Sequence, residues 1–169
     1  GTRYQRLLIR NALVIDGAGN PMRGPDDILV GGGKIAMMLP TRSGPPGLAA
    51  DHIIDATGMT VMPGIIDLHG HIQFRSGGEA LPKDYVYKLW LAHGITTIRD
   101  PGTAEGLDTI LCHARLSIEN RIAAPTLIPY ATFSGASTPE EARAVVRQLK
   151  TRGAQGIKAF ILRPDVYDA

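Results

Sequence analysis

Two histidines and a lysine are the residues in this sequence whose types and spacing are best suited to chemistry. In Val61-Met62-Pro63-Gly64-Ile65-Ile66-Asp67-Leu68-His69-Gly70-His71, a short apolar run leads directly into a His-x-His pair. Neutral imidazoles two residues apart can chelate one divalent cation, and strand ends are where α/β proteins build such sites. If the strand continues through the motif, Asp67, His69 and His71 project together, because side chains two apart on a strand share a face. Such pairs also occur in loops, so the spacing alone does not establish a metal site. The lysine is Lys158, in Gly156-Ile157-Lys158-Ala159-Phe160-Ile161. Alternation puts it on the same face as Phe160 in an otherwise apolar strand, and an ammonium turned inward needs a compensating partner.

The elements that must hold these residues change character near Met62. From Arg6 to Val61, short apolar runs (Leu7-Leu8-Ile9, Leu13-Val14-Ile15, Ile28-Leu29-Val30, Ile35-Ala36-Met37, Ile53-Ile54) alternate with turn residues. This predicts a small antiparallel β domain over 1–61. Gly31-Gly32-Gly33-Lys34 reads as its hairpin turn, since Ile28 and Ile35 stand where a phosphate-binding loop needs glycine and a hydroxyl residue. Beyond 62 the apolar strand centres fall at Ile65, Ile95, Leu127 and Ile157, at intervals of 30, 32 and 30 residues. A strand–helix–strand step takes about 30 residues, so these are expected to be consecutive parallel strands with crossover helices. Helices are expected near Tyr85–His93 and Leu107–Arg121. A third should follow Thr138, with Pro139 in its first turn, Glu141 closing a capping box, Ala142, Val145, Val146 and Leu149 on its apolar face, and Gly153 ending it. Four strands at this period form half of an eight-stranded barrel or most of an open doubly wound sheet. The glycine-rich loop usual after the first strand of the latter does not follow Ile66.

The composition is that of a globular protein: 169 residues, 44% hydrophobic, 20% charged, formal charge +2. The basic residues are scattered, which argues against a nucleic-acid partner. No apolar run approaches the roughly 20 residues that span a bilayer, so no membrane partner is expected. The single cysteine, Cys112, excludes an internal disulfide, which fits a reducing, cytoplasmic location or merely a protein that needs no covalent staples. The chain begins at Gly1 rather than Met, which leaves a removed leader open.

The segment Pro63–His71 resembles the signature that opens the barrel in the amidohydrolase superfamily, whose members include dihydroorotases, hydantoinases, prolidase-like dipeptidases and deaminases. Ile54–Met62 is similar to the strand leading into that barrel, and Gly94-Ile95-Thr96-Thr97-Ile98-Arg99-Asp100 to its second strand. The resemblance implies an α/β fold: residues 62–169 as the first four units, or first half, of a (β/α)8 TIM barrel, preceded by 1–61 as part of a small β-sandwich domain. It implies a metal-dependent hydrolase of amide or related C–N bonds, acting on a cyclic amide or dipeptide-like small molecule through a metal-activated water. His69 and His71 would be ligands of a binuclear centre, two zinc ions in the simplest case. Asp67 would orient an imidazole through its other nitrogen. Lys158, on the fourth strand, would be carboxylated and bridge the metals, the alternative being an ion pair such as one with Asp100. Two further histidines and the proton-shuttling aspartate are expected beyond Ala169. The alternatives are a mononuclear deaminase or deacetylase with Lys158 unmodified, and a non-catalytic scaffold. Half a barrel leaves strand edges unpaired, so the remainder of the same protein or a companion chain is the expected partner, with a homo-oligomer also compatible.

Other candidates weigh less. His52, His93, His113 and Cys112 are expected at the surface or in packing. Tyr130, Thr132 and Phe133 line either a substrate pocket or the barrel interior. Arg99 and Asp100 end the second strand, where a site could form, with salt-bridging to neighbouring strands the simpler account, and Phe74–Glu79 is either a lid or a linker.

Overall fold

The computed structural model describes residues 4–43, 47–76, 78–160 and 163–168. Packing divides the chain between Pro63 and Gly64 into two compact units.

The first unit is one sheet. Strands β1 (Arg6–Val14), β2 (Arg23–Gly31), β3 (Lys34–Pro40) and β4 (His52–Asp55) lie in the order β3-β2-β1-β4, and the short β5 (Thr60–Val61) pairs further along β1. The pairs β1/β2 and β2/β3 are antiparallel, but β4 and β5 run parallel to β1. The sheet is therefore mixed, not antiparallel throughout. Apolar alternation records which residues are buried but carries no information about strand direction. The β2–β3 turn is the expected hairpin: Gly32 and Gly33 adopt φ of 58° and 76°, the left-handed backbone that a two-residue hairpin needs and glycine accepts freely. Ala12, Val14, Ile28 and Ala56 form the buried cluster. Asn11 interrupts β1 with a φ of 59°, and its N–H donates to the buried carboxylate of Asp27 at 3.0 Å.

The second unit carries β6 (Ile65–Asp67), a small hairpin of β7 (Arg75–Ser76) and β8 (Glu79–Ala80), then β9 (Ile95–Asp100), β10 (Thr126–Thr132) and β11 (Gly156–Lys158). Strands β6, β9, β10 and β11 are parallel neighbours in chain order. Helices α1 (Lys83–Ala92), α2 (Leu107–Ile118) and α3 (Pro139–Thr151) make the crossovers, and a short α4 (Pro164–Tyr167) follows β11. The result is a parallel half-barrel. Ile98 and Leu127, register partners on β9 and β10, pack with Val86 and Tyr87 of α1 and with Ile110 and Ala114 of α2. The helices thus cover the face that bears Ile98 and Leu127. Neighbouring positions Ile66, Thr97, Arg99 and Ile128 occupy the opposite face by register.

Local signals explain the helix boundaries. Thr138 Oγ1 accepts the N–H of Glu141 at 3.2 Å, while Glu141 returns its carboxylate to Ser137 N–H at 2.8 Å, one residue before the capping residue itself. Helix α2 stops at Ile118, short of Arg121, and Asn120 beyond it takes a left-handed φ of 52°. The segment after the histidines is held at its base, because Phe74 is buried edge-to-face against Tyr87 and Arg75–Ser76 pairs with Glu79–Ala80. Gly77 lies outside the described residues. Among the described residues, no helix is long and apolar enough to cross a membrane.

Candidate metal centre

Strand β6 ends at Asp67, and Leu68-His69 form a turn. The two-residue alternation that would align Asp67 with both histidines is thus broken after Asp67. By register Asp67 lies beside Ile98, on the helix-covered side. Its Oδ1 accepts the backbone N–H of His69 at 2.9 Å, so Asp67 shapes the turn and its recorded bond is to main chain, not to an imidazole. The short side chain of aspartate folds back to an amide two residues on more readily than it reaches across to a ring.

The group that meets an imidazole is a backbone carbonyl. His71 Nδ1 lies 2.9 Å from Gly102 O, just past the end of β9. A carbonyl can only accept, so Nδ1 carries the proton and donates it, and in the neutral ring Nε2 is the nitrogen that keeps its lone pair. The His69 and His71 rings stand 5.2 Å apart between centroids at 66°. His71 is exposed and lines an open cavity of about 510 Å³, so an ion or small ligand can reach it. Between the two histidines, Gly70 donates its N–H to Arg99 O at 3.2 Å, and a Cβ there would sit 2.7 Å from Ile98 Cγ2. Only glycine fits under the pair. Thr103 Oγ1 donates to Ile72 O, a further tie between the two loops.

Asp100 closes β9 and is 1% exposed. Its Oδ1 accepts Gly102 N–H at 3.0 Å, and Oδ2 makes no hydrogen bond within 3.5 Å among the described residues. Burial pushes its carboxyl up to about 6, against the opposing pull of the Gly102 amide, the nearby His71 and the Ile72 amide. The salt bridges expected of Arg99 and Asp100 do not form among the described residues. Arg99 Nε instead donates to Leu68 O, and its guanidinium stacks over Tyr130 at 5.3 Å. A guanidinium beside both a free carbonyl and an aromatic face satisfies its donors without a carboxylate. Lys158, half-buried, is in register with Thr132, and its ammonium lies 5.4 Å from the Phe160 ring centre. The structure records no Lys158–Asp100 pair among the described residues. Phe133 is buried with Ala142 of α3 and Val166 of α4, which makes it packing, whereas Thr132 is exposed. His52 stacks on Tyr4, His93 bonds Leu89 O, and His113 receives or donates a 2.8 Å bond with the Tyr87 hydroxyl.

This donor set fits a divalent cation in part. A ring fixed through Nδ1, with Nε2 open beside a second imidazole, is the arrangement metal-binding histidines adopt. Among the described residues no three His, Cys, Asp or Glu side chains converge, so further donors are required. Gly102 left no mark in the sequence, and Asp100, at a strand end where a site could form, was expected to form a salt bridge instead. Any residue can supply a carbonyl, and nothing in a residue type marks which one will.

No family model matches the sequence. Among curated relatives, a dihydroorotase of Solibacter usitatus is 32% identical over 153 residues, covering 89% of this chain and 34% of that protein. A 5-methylthioadenosine/S-adenosylhomocysteine deaminase of Desulforudis audaxviator is 39% identical over 97 residues, covering 54% of this chain and 22% of that protein. A candidate prolidase of known structure from Bifidobacterium longum superposes with a TM-score of 0.71 at 27% identity, covering 94% of this chain and 41% of that one. The chain spans about a third of the first of these curated relatives and less of the second. With the parallel half-barrel and the His-x-His turn, these likenesses identify the chain as a member of the amidohydrolase superfamily. Its relatives are hydrolases acting on C–N bonds.

Proposed function

We propose that the protein containing this chain hydrolyses an amide or related C–N bond in a cyclic amide or dipeptide-like small molecule. The proposed centre holds two divalent cations, zinc in the simplest case, with His69, His71 and Lys158 as this chain's ligands. The observation that carries this is His71: its ring is oriented by Gly102 O through Nδ1, which directs Nε2 to a ligand, and a second imidazole stands 5.2 Å away. The pair lies just beyond the C-terminal end of a parallel strand, where barrel enzymes do their chemistry. Bound divalent cations would supply acidification of a water and polarisation of the scissile carbonyl. This chain's own contribution is to bind and orient. Asp67 shapes the turn that presents His69, and Gly70 lets that turn press against Ile98. Lys158 would become an anionic oxygen ligand by adding its amine to carbon dioxide with loss of one proton. The remaining histidines and the aspartate that moves the proton would come from the rest of the polypeptide. That remainder would also pair with the free edges of β6 and β11 and cover Ile65 and Ile66, now 50% and 57% exposed. The single cysteine supports a cytoplasmic location.

A second reading, a one-metal deaminase, is favoured by the Lys158 ammonium seated against Phe160 as a cation and by the likeness to a deaminase. Metal analysis of the complete protein separates the two. Two ions per chain, with bicarbonate-dependent hydrolysis of hydantoins or Xaa-Pro dipeptides, are expected. One ion, with ammonia release from aminopurines and no bicarbonate dependence, would replace the first reading by the second. A His71→Ala protein that keeps its metal and its activity would refute both.

A further inference from the structure

We propose that Asp100 is a positioning residue for His71, acting through Gly102 to aim a backbone carbonyl at the imidazole. The inference rests on the reading of His71 as a metal ligand and adds to it the device that holds the ring.

The two bonds flank one glycine. On its N-terminal side, Gly102 N–H donates to Asp100 Oδ1 at 3.0 Å, and on its C-terminal side, Gly102 O accepts from His71 Nδ1 at 2.9 Å. Gly102 takes a φ of 104°, and a Cβ there would run into the Thr132 side chain. The position therefore demands glycine, and glycine by itself holds no direction. The carbonyl needs an external anchor, and the Asp100 bond is the one that fixes the peptide entering Gly102. Asp100 can serve because it is buried and cannot swing into solvent, while Pro101, the residue between them, has its φ fixed by its ring.

Asp100 is also costly if it does nothing. Its Oδ2 is buried with no hydrogen bond within 3.5 Å among the described residues, the Ile72 amide and His71 acting on it only weakly, and such weakly partnered burial opposes folding. Such orphan groups call for an explanation outside stability. An apolar residue would fill the same space under Ile72 and Gly102 but would leave the Gly102 peptide free to rotate. The neighbouring ties, Gly70 N–H to Arg99 O and Thr103 Oγ1 to Ile72 O, bring the two loops together, and of the three bonds the Asp100 one holds the peptide entering Gly102.

The test uses the complete protein. In the metal-free state, nitrogen-15 NMR of labelled histidine reads the His71 tautomer, which is expected to be Nδ1–H alone. Asp100→Ala should give a mixture of tautomers and weaken zinc binding roughly 10–100-fold, the usual loss when a ligand's supporting bond is removed. Asp100→Asn keeps an oxygen for Gly102 N–H and should restore both readouts, a rescue that also decides the matter if the alanine variant does not fold. An Asp100→Ala protein with a single Nδ1–H tautomer and wild-type zinc affinity would overturn the proposal, as would a folded Asp100→Asn protein that behaves like the alanine variant. A tautomer that responds to Asp100 in a wild-type protein that binds no zinc would support the positioning role while refuting the metal reading. Tight zinc binding with an unresponsive tautomer would do the reverse.

Discussion

Replacing Gly70 with alanine tests whether the histidine turn is packed onto the barrel core or merely attached to its end. The added methyl would lie 2.7 Å from Ile98 Cγ2 and 3.2 Å from Asp67 Oδ2. Ile98 is 0% exposed and enclosed by Tyr87, Ile110 and Leu127, so it has no free space to yield into. Insertions of this size into packed cores cost about 1–3 kcal/mol, and here the turn itself can relieve the clash by lifting, which would carry His69 and His71 away from their places. Gly70→Ala is therefore expected to lower the urea midpoint and to weaken zinc binding together. Ile98→Ala alone should cost about 2–5 kcal/mol through the cavity it leaves. Combined, the two changes should cost less than their sum by at least about 1 kcal/mol, because the new methyl enters the space vacated by Cγ2. Ile98→Val keeps that methyl and should give no such relief. Strict additivity, equal rescue by Ile98→Val, or a Gly70→Ala protein within about 0.5 kcal/mol of wild type would refute the close approach. Denaturant unfolding paired with zinc titration supplies every number required.

Two other substitutions probe the frame around the site. Thr138→Ala removes the acceptor for Glu141 N–H at the start of α3 and should cost about 1 kcal/mol, with Thr138→Ser close to neutral; thermal unfolding reads both. Asp27 accepts from Asn11 N–H at 3.0 Å and from the Thr41 hydroxyl at 2.8 Å, and pairs with Arg10 at 3.5 Å. Asp27→Ala should leave those donors unmet and cost about 1–3 kcal/mol, with amide exchange at Asn11 accelerating before the rest of β1.

What the sequence made legible follows from the kind of information that each feature leaves in residue types. The strands near Ile65, Ile95, Leu127 and Ile157 show themselves because both faces of a parallel strand favour apolar residues, and α3 shows itself because Thr138, Pro139 and Glu141 act within a few bonds of one another. The parallel pairing of β4 and β5 with β1 left no such mark. Burial in a sheet depends on alternation, and alternation is identical for either direction. The hairpin at β7 and β8 was hidden for a related reason: with two residues in each strand, it is too short for a pattern to repeat.

At the site, residue types pointed to the histidines but not to what holds them. Asp67 was expected to orient a ring because a carboxylate next to a His-x-His pair is chemically suited to it, but a turn beginning at Leu68 takes that carboxylate for the main chain. The actual partners are spaced by the fold's own period. Leu68 meets Arg99, His71 meets Gly102 and Ile72 meets Thr103, each 31 residues apart. That separation is the length of one strand–helix–strand step, so loops one repeat apart come to lie side by side as surely as the strands before them do. The thirty-residue interval read from the apolar centres thus already specified which segment would face the histidines. It could not specify which atom, because Gly102 contributes a carbonyl that every residue has, in a direction that only its left-handed backbone and the buried Asp100 allow.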